Sequence, residues 1–514
     1  MPEGNTPPAG QASRLYTKTK HIVGSKLFFK ATLALFVLQA GYIAIKSGFP
    51  LAFDESYHLG ITQLYAQQWS PFFSHLPNST GQYGALATDP SYLYHYLLSF
   101  PYRLISAVTQ NTFTVIVFLR FINILLFVGG LVAFKRVLRY TRASNALINL
   151  TLLIFTLLPL ESFTAAQINY DNLLFPVMGV ALLLCLRFIE KLRQHNVFDV
   201  TTLALLVATC LLGAQVKFVF VPICLTILGL VTLFTARWVL QNKQRARKSL
   251  QAGLAALSGP AKLSLLSLVV VSAGLFGWRF GYNEVAYGSP MPDCAKVMGV
   301  APCMQYAPWA RNYQLEHSHV PVANLAQTKA FARAWTKISG TQLFTVLDGN
   351  EGGATVNPDG RLIAGAALVV GVGGVLLTLQ WRKIKHAGYA TVIILTVSAV
   401  YLACLVLKNY SDFITYGMPI AIQGRYLLPV LLIFMVLGAR VYSEALKHRP
   451  QLKVAVLAAV VVIGLQGGGL ITYVTKTNSS WRWSSSAALS LESTHNTPVI
   501  AQKVSLSSQS PKSP

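Results

Sequence analysis

Residues 112–134 read TFTVIVFLRFINILLFVGGLVAF and are followed at once by Lys135 and Arg136. A helix needs roughly 20 mostly apolar residues to cross a hydrocarbon core of about 30 Å. This stretch is long enough, and Arg120 is its only charged residue. It therefore predicts a transmembrane helix whose basic end faces the cytoplasm.

Other stretches share this apolar character and predict further spans. They lie at 27–46, 145–160, 171–188, 200–215, 217–238, 262–280, 361–381, 388–407, 425–443 and 453–474. The stretch 92–108 is also apolar, but Pro101 and Arg103 interrupt it, which predicts an amphipathic helix at the membrane interface. The predicted fold is an all-α polytopic membrane protein with about eleven transmembrane helices (range 10–13).

Composition supports this class of protein and excludes others. Of the 514 residues, 53% are hydrophobic and 11% are charged, whereas a soluble domain carries about 25% charged residues. A net charge of +25 in a soluble chain would suggest nucleic-acid binding. With the amino terminus in the cytoplasm, however, 25 of the 42 Lys and Arg but only 4 of the 17 Asp and Glu fall inside. The charge therefore reports orientation, and we predict no nucleic-acid partner.

The spans divide the chain into five regions. These are a basic cytoplasmic segment (1–26), a transmembrane module (27–280) with a first outer loop at 47–111, an outer loop domain (281–360), the last transmembrane helices (361–474) and a Ser-rich outer tail (475–514). We expect the tail to be disordered and the loop domain to be folded. The pattern favours a bacterial cytoplasmic membrane over the endoplasmic reticulum, with the carboxyl terminus outside.

Two cysteines, Cys294 and Cys303, fall within the outer loop domain. In an oxidising compartment they can close a short disulfide loop, and two free thiols are the alternative.

Charged residues gather at the predicted outer ends of several spans. Carboxylates follow the first span and open the fourth, and three cations lie near other outer ends; they are Asp54, Glu55, Asp171, Arg120, Lys217 and Arg425. Each alone is typical of a helix cap or a snorkelling side chain. Together, on one side of the membrane, they predict a site that binds an anionic headgroup and performs acid–base chemistry beside it.

The order of these motifs, over roughly 27–445, resembles the GT-C superfamily of polytopic glycosyltransferases. It is similar to the branch with protein O-mannosyltransferases and aminoarabinose transferases, chiefly in the Asp54-Glu55 pair and in GRYLLP at 424–429. The resemblance implies that Asp54 is the base, and that Arg120, Lys217 and Arg425 hold the phosphate of a polyprenyl-linked sugar. The chain departs from the aminoarabinose branch at Asp89-Pro90-Ser91, where that branch has His-Pro-Pro, and it lacks the large carboxyl-terminal domain of the mannosyltransferases.

The predicted reaction is inverting transfer of a sugar from a polyprenyl phosphate to a lipid, glycan or protein acceptor. Asp54, Glu55 and Asp171 are the predicted catalytic carboxylates. Contacts to acceptor or sugar are predicted for His58, Asp89, Tyr92, Tyr170 and Tyr426, and His95 can assist. No cofactor is required, although Mg²⁺ or Mn²⁺ is an option that the carboxylates allow.

Two other functions fit a polytopic chain of this kind. A transporter or lipid flippase would carry its charges at mid-membrane depth and use discontinuous helices. A polymerase or ligase of envelope polysaccharide would also act on a polyprenyl carrier, with a large outer loop rich in Arg and His. The 281–360 loop contains Arg311, Arg333, His317 and His319.

Overall fold

The computed structural model describes residues 18–483 apart from short internal gaps. The gaps are 52–53, 74–77, 320, 322, 345, 348–354, 357–359, 381–387, 467–468 and 478. Most of the predicted basic segment 1–26 and most of the predicted tail therefore lie outside the described residues.

The described chain is almost entirely helical. The helices are α1 (Lys26–Lys46), α2 (Glu55–Ala66), α3 (Leu93–Val108), α4 (Thr112–Arg139), α5 (Asn145–Leu157), α6 (Pro159–Ala165), α7 (Asp171–Gln194), α8 (Val200–Val216), α9 (Val221–Gln241), α10 (Lys243–Ala255), α11 (Gly259–Phe276), α12 (Tyr282–Tyr287), α13 (Cys294–Met298), α14 (Val300–Cys303), α15 (Ala307–Ser318), α16 (Leu325–Gln342), α17 (Gly360–Leu379), α18 (Tyr389–Tyr416), α19 (Leu428–Ala445), α20 (Pro450–Gln466) and α21 (Gly469–Lys476). Short 3₁₀ turns occupy Asn78–Tyr83, Phe218–Phe220, Gly424–Leu427 and Ser479–Trp481, and a π-helical turn occupies Gly277–Gly281. Two short strands, β1 (Val346–Leu347) and β2 (Thr355–Val356), pair antiparallel with Val346 opposite Val356.

Seven helical stretches in the described residues are long and apolar enough to cross a membrane. They are Lys26–Lys46, Thr112–Arg139, Asp171–Gln194, Phe218–Gln241, Gly259–Tyr287, Tyr389–Tyr416 and Gly424–Ala445. The four other predicted spans correspond to the bent pair α5–α6 and to three shorter apolar helices, Val200–Val216, Ala364–Leu379 and Gln451–Ile463. The protein is therefore an all-α polytopic membrane protein, as predicted. By length and composition, the described residues contain seven spans, or eight if the bent pair counts as one, against the eleven expected from the sequence.

The bend between α5 and α6 measures 74° and comes at a proline. Leu158 has an extended backbone, and Pro159 begins α6 at its first position. Proline suits a helix start because its missing N–H would have no intrahelical partner there. The bend turns α6 and the segment after it against the Gly424–Leu427 turn.

Close packing between α4 and α7 forms the centre of the helix bundle. Phe127 and Phe134 of α4 stack on Phe175 of α7, with ring centroids 4.8 and 4.7 Å apart. Gly130 faces the Phe175 ring so closely that a Cβ at this position would overlap it. Interiors packed at this density resist added volume, so the contact fixes the start of α7 relative to α4.

The region after α11 folds into α12–α16 and the β1–β2 pair. Cys294 and Cys303 are joined by a disulfide, with Cα atoms 5.9 Å apart. Tyr306, just after the disulfide, stacks on Tyr57 of α2 with ring centroids 5.8 Å apart. This loop region therefore contacts the helix that follows Asp54.

The start of the carboxyl-terminal tail is folded, so the prediction of disorder from 475 onward is wrong for 475–477 and 479–483. Trp481 is buried, and its carbonyl accepts a hydrogen bond from the Gly48 N–H at 2.9 Å. The Trp483 indole N–H donates to the Ile45 carbonyl at 3.1 Å. Burial of Trp481 and packing of the half-buried Trp483 against the core provide a driving force that serine content alone does not reveal.

Candidate functional site

Four charged side chains from distant parts of the sequence form one group, here called the charged cluster: Asp54, Asp171, Lys217 and Arg425. Arg425 forms an ion pair with Asp54. The Lys217 ammonium lies 2.7 Å from the Asp171 carboxylate. The Arg425 Nε lies 3.7 Å from the other Asp171 oxygen, so Asp171 links the two pairs.

Local structure places each member at the end of a helix. Asp54 immediately precedes α2, and Asp171 is the first residue of α7. Lys217 caps the carboxyl end of α8, and Arg425 lies in the 3₁₀ turn before α19. Negative charge is favourable at a helix start and positive charge at a helix end, which suits Asp171 and Lys217 in particular.

Two tyrosine rings enclose the Lys217 ammonium. Its Nζ lies 4.3 Å from the Tyr170 ring centroid and 4.5 Å from the Tyr426 ring centroid. Aromatic faces attract a cation, and more strongly where water is excluded. The predicted contact residues Tyr170 and Tyr426 therefore lie against the charged cluster.

Exposure differs among the four side chains. The Asp54 side chain is 23% exposed, against 2% for Asp171 and 10% for both Lys217 and Arg425. A ligand that enters the cluster can therefore reach Asp54 more readily than Asp171.

Arg120 and Glu55 lie together and are fully buried. Arg120 Nε and Nη2 donate to the two Glu55 oxygens at 2.8 and 2.7 Å. The remaining donors bind the backbone carbonyls of Ala44, Ser47 and Gly48.

All five N–H groups of Arg120 are therefore engaged by protein acceptors. Glu55 also accepts from the backbone N–H groups of Leu51 and Ile168, at 2.6 and 3.1 Å. This geometry does not fit the predicted roles of Arg120 as a phosphate ligand and Glu55 as a catalytic carboxylate. The pair instead ties the end of α1, the start of α2 and the segment before α7 to α4.

His58 and His95 form a buried imidazole pair beside the cluster. His58 Nδ1 and His95 Nε2 are 2.8 Å apart, and the His58 ring meets the Tyr170 ring edge-on at 4.6 Å between centroids. Burial, with smaller contributions from His95, Arg425 and Lys217, holds the pKa of His58 well below its usual value. Burial lowers the pKa of His95 to about 3. Both rings are therefore neutral near pH 7.

Asp89 and Tyr92 connect the first loop to the Lys217 turn. The Tyr92 hydroxyl donates to Gln215 Oε1 at 2.6 Å, and Ser91 Oγ accepts from the Phe218 N–H at 3.1 Å. The Asp89 carboxylate accepts from the Ser91 N–H at 2.8 Å, and burial raises the pKa of Asp89. These two predicted contact residues are engaged within the protein. Tyr92 and Ser91 bond to Gln215 and Phe218, which flank Lys217 in the sequence.

Two buried ionisable residues, Arg279 and Glu161, were absent from the sequence-based set. Arg279, in the π-helical turn, is buried, with its guanidinium 4.7 Å from the Tyr92 ring centroid. Glu161, in α6, is completely buried. An acidic residue beside an apolar span is a recognisable signal of function, and the predicted span 145–160 ended one residue short of it.

The described residues contain no group of three or more His, Cys, Asp and Glu side chains arranged to hold a metal ion. Asp54, Glu55 and Asp171, the carboxylates that the sequence offers for Mg²⁺ or Mn²⁺, are each paired with a cationic side chain.

No protein-family model and no curated protein matches the chain. Among solved structures, the chain is similar to the archaeal oligosaccharyltransferase AglB from Archaeoglobus fulgidus, solved in complex with an inhibitory peptide and a dolichol-phosphate. The two share 13% identity with a TM-score of 0.44, over 89% of this chain and 56% of AglB. The chain thus spans little more than half of that protein.

Proposed function

We propose that this protein is a membrane glycosyltransferase. It moves a sugar from a polyprenyl-phosphate donor to an acceptor hydroxyl on the extracytoplasmic face, with inversion at the anomeric carbon. The observation that carries this proposal is the charged cluster, in which an accessible carboxylate, Asp54, is paired with a buried cation, Arg425.

The donor chemistry requires such a combination of charges. A sugar phosphodiester carries one negative charge, and the departing polyprenyl phosphate gains a second as the bond to the anomeric carbon breaks. Fixed cations in a site shielded from water stabilise this growing charge more than they would in bulk water. Arg425 supplies a planar fork of donors, and Lys217 supplies a compact point charge.

The acceptor side of the reaction needs a base. As the acceptor oxygen bonds to the anomeric carbon, its proton passes to a carboxylate within hydrogen-bond reach. Asp54 is the more exposed cluster carboxylate. Asp171, which contacts both cations, keeps Lys217 and Arg425 in place.

Donor binding and release of the base are coupled in this scheme. The four cluster side chains carry two positive and two negative charges, so the donor phosphate competes with a carboxylate for Arg425. When the phosphate takes over Arg425, Asp54 is freed to accept the acceptor proton. The base thus becomes available only once the donor is present.

The bent α5–α6 pair favours a second candidate, a lipid flippase or transporter, because discontinuous helices are typical of transport sites. In that function the cluster would bind a phosphate headgroup without breaking a bond. The two functions differ in whether the sugar–phosphate bond is cleaved.

The test uses purified protein in proteoliposomes with polyprenyl-phosphate sugars and a cell-envelope extract as acceptor. We expect the wild type to release polyprenyl phosphate and to label an acceptor, and Asp54→Asn to slow both by about a hundredfold or more. Movement of intact donor across the bilayer with no cleavage would support the flippase function and refute the proposed glycosyltransferase activity.

A further inference from the structure

The segment from α6 to the start of α7 carries buried polar atoms without hydrogen-bond partners. Apart from Asp171 Oδ2, which faces Arg425, they are both Glu161 carboxyl oxygens, Gln167 Oε1, Asn169 Nδ2 and Asn172 Oδ1. All four residues are at least nine-tenths buried. Unpartnered buried polar atoms are uncommon, and each costs free energy unless a ligand or water satisfies it.

Hydrogen bonds orient two of these side chains. Asn172 Nδ2 donates to the Thr164 and Gln167 carbonyls at 2.8 and 3.0 Å. Asn169 Oδ1 accepts from the Asp171 N–H at 2.9 Å. The unpartnered atoms of Asn169 and Asn172 are thus held in place beside Asp171.

The segment from α6 to the start of α7 lies beside the proposed phosphate ligands. Asp171 is the electrostatic neighbour of Glu161, and α6 packs against the turn that carries Arg425. In a polyprenyl-phosphate sugar the ring is bonded directly to the phosphate. A group that binds the ring must therefore lie beside the residues that bind the phosphate.

The chemistry of the atoms selects the ligand class. An isolated buried carboxyl is neutral rather than charged, so Glu161 offers one O–H donor and one acceptor. Gln167 Oε1 and Asn172 Oδ1 are acceptors, and Asn169 Nδ2 is a donor. Because each hydroxyl group can both donate and accept, a ligand with several hydroxyl groups and little apolar surface satisfies such a set.

We propose that Glu161 and the adjacent amides bind the hydroxyl groups of the donor sugar. This inference rests on the proposed function and adds the sugar subsite to it. Glu161 donates to and accepts from ring hydroxyls, and Gln167, Asn169 and Asn172 complete the contacts.

The test distinguishes the affinity due to the sugar from the affinity due to the lipid phosphate. Binding is measured for polyprenyl phosphate alone and for polyprenyl phosphate bearing glucose, mannose or arabinose, with wild type and Glu161→Met. Methionine keeps the approximate shape but removes both polar oxygens, whereas glutamine would still offer a donor and an acceptor. We expect at least one sugar to tighten wild-type binding about tenfold or more, and Glu161→Met to lose that gain while its affinity for the bare lipid stays within about twofold.

Matched variants complete the design. Glu284→Met makes the same change at an exposed position of α12 and is expected to alter neither affinity. Gln167→Met removes an acceptor of the same set and gives the same pattern if Glu161→Met does not fold, as judged by thermal unfolding. Retention of the sugar-dependent gain in the folded variant, or equal loss for both probes, overturns the inference.

Failure of the proposed function gives a different result. If wild-type protein does not bind bare polyprenyl phosphate, the phosphate assignment of Lys217 and Arg425 is wrong, and the sugar subsite falls with it. If the bare lipid binds and no sugar adds affinity, the subsite alone is wrong.

Discussion

Asp54 and Arg425 are 371 positions apart in the sequence and form an ion pair in the folded protein. Arg425 also lies 3.7 Å from Asp171, which in turn holds Lys217. This pairing joins the start of the first loop to the turn before α19. It places the proposed base against the proposed phosphate ligand.

Replacing Asp54 tests the base. We expect Asp54→Asn to lower kcat by about 10²- to 10⁴-fold, because no carboxylate then accepts the acceptor proton. Donor affinity should hold or tighten, since the phosphate no longer competes with a carboxylate for Arg425. Steady-state kinetics and donor binding measure both effects. Asp412→Asn, which breaks the exposed Lys408–Asp412 pair, is the control; full activity in Asp54→Asn would refute the base.

Replacing Arg425 tests stabilisation of the leaving group. We expect Arg425→Gln to lower kcat by about 10²- to 10³-fold, because a preorganised charge at the departing phosphate is lost. The rate should fall less with donors whose leaving phosphate is more acidic. A linear free-energy plot over such donors distinguishes this role from a structural one, which would reduce all donors equally.

The Glu55–Arg120 pair makes a prediction about stability. Removing one partner leaves a buried, uncompensated charge, so Arg120→Met should destabilise the protein by about 3–5 kcal/mol. The double variant Glu55→Leu/Arg120→Met removes both charges and should recover much of that loss. Thermal unfolding in detergent measures the stability of both variants. If Arg120→Met instead leaves stability unchanged and weakens donor binding, Arg120 is a phosphate ligand after all.

The histidine pair makes a prediction about pH. Both pKa values are lower in the folded protein than the usual 6.5. Below about pH 6.5 the unfolded chain therefore binds more protons than the folded one, and stability falls as the pH drops. Above that pH the contribution is fully present.

Each histidine contributes up to about 1.4 kcal/mol per pH unit in that window. The double variant His58→Asn/His95→Gln keeps an amide at each interacting nitrogen and cannot titrate. Its unfolding temperature should fall less than that of the wild type between pH 7 and 5. Identical pH profiles for the two proteins would show that the pair is not held neutral.

Sequence patterns located the members of the charged cluster, but not the pairing among the charged residues. Asp54, Asp171, Lys217 and Arg425 were all predicted, because charges beside apolar spans stand out in a linear reading. Arg120 and Glu55 stand out for the same reason, yet they satisfy each other in the interior. Partner choice depends on distances across α1, α2 and α4, which a sequence does not contain.

Glu161 is the converse case, because the sequence did not single it out and the structure buries it. It follows a predicted span by one residue, and in sequence it resembles an ordinary helix cap. The bend at Pro159 carries it into the interior beside Asp171. A change of chain direction therefore decided whether this carboxyl faces water or the protein interior.

The sequence by itself determined the class of protein, because spans of apolar residues are stable only in lipid and only as helices. It also determined which few charges needed an explanation. Only the tertiary structure decided which of them pair within the protein and which form the charged cluster. The reason is physical: a buried charge is stable only with a nearby partner, and long-range packing sets the distance between partners.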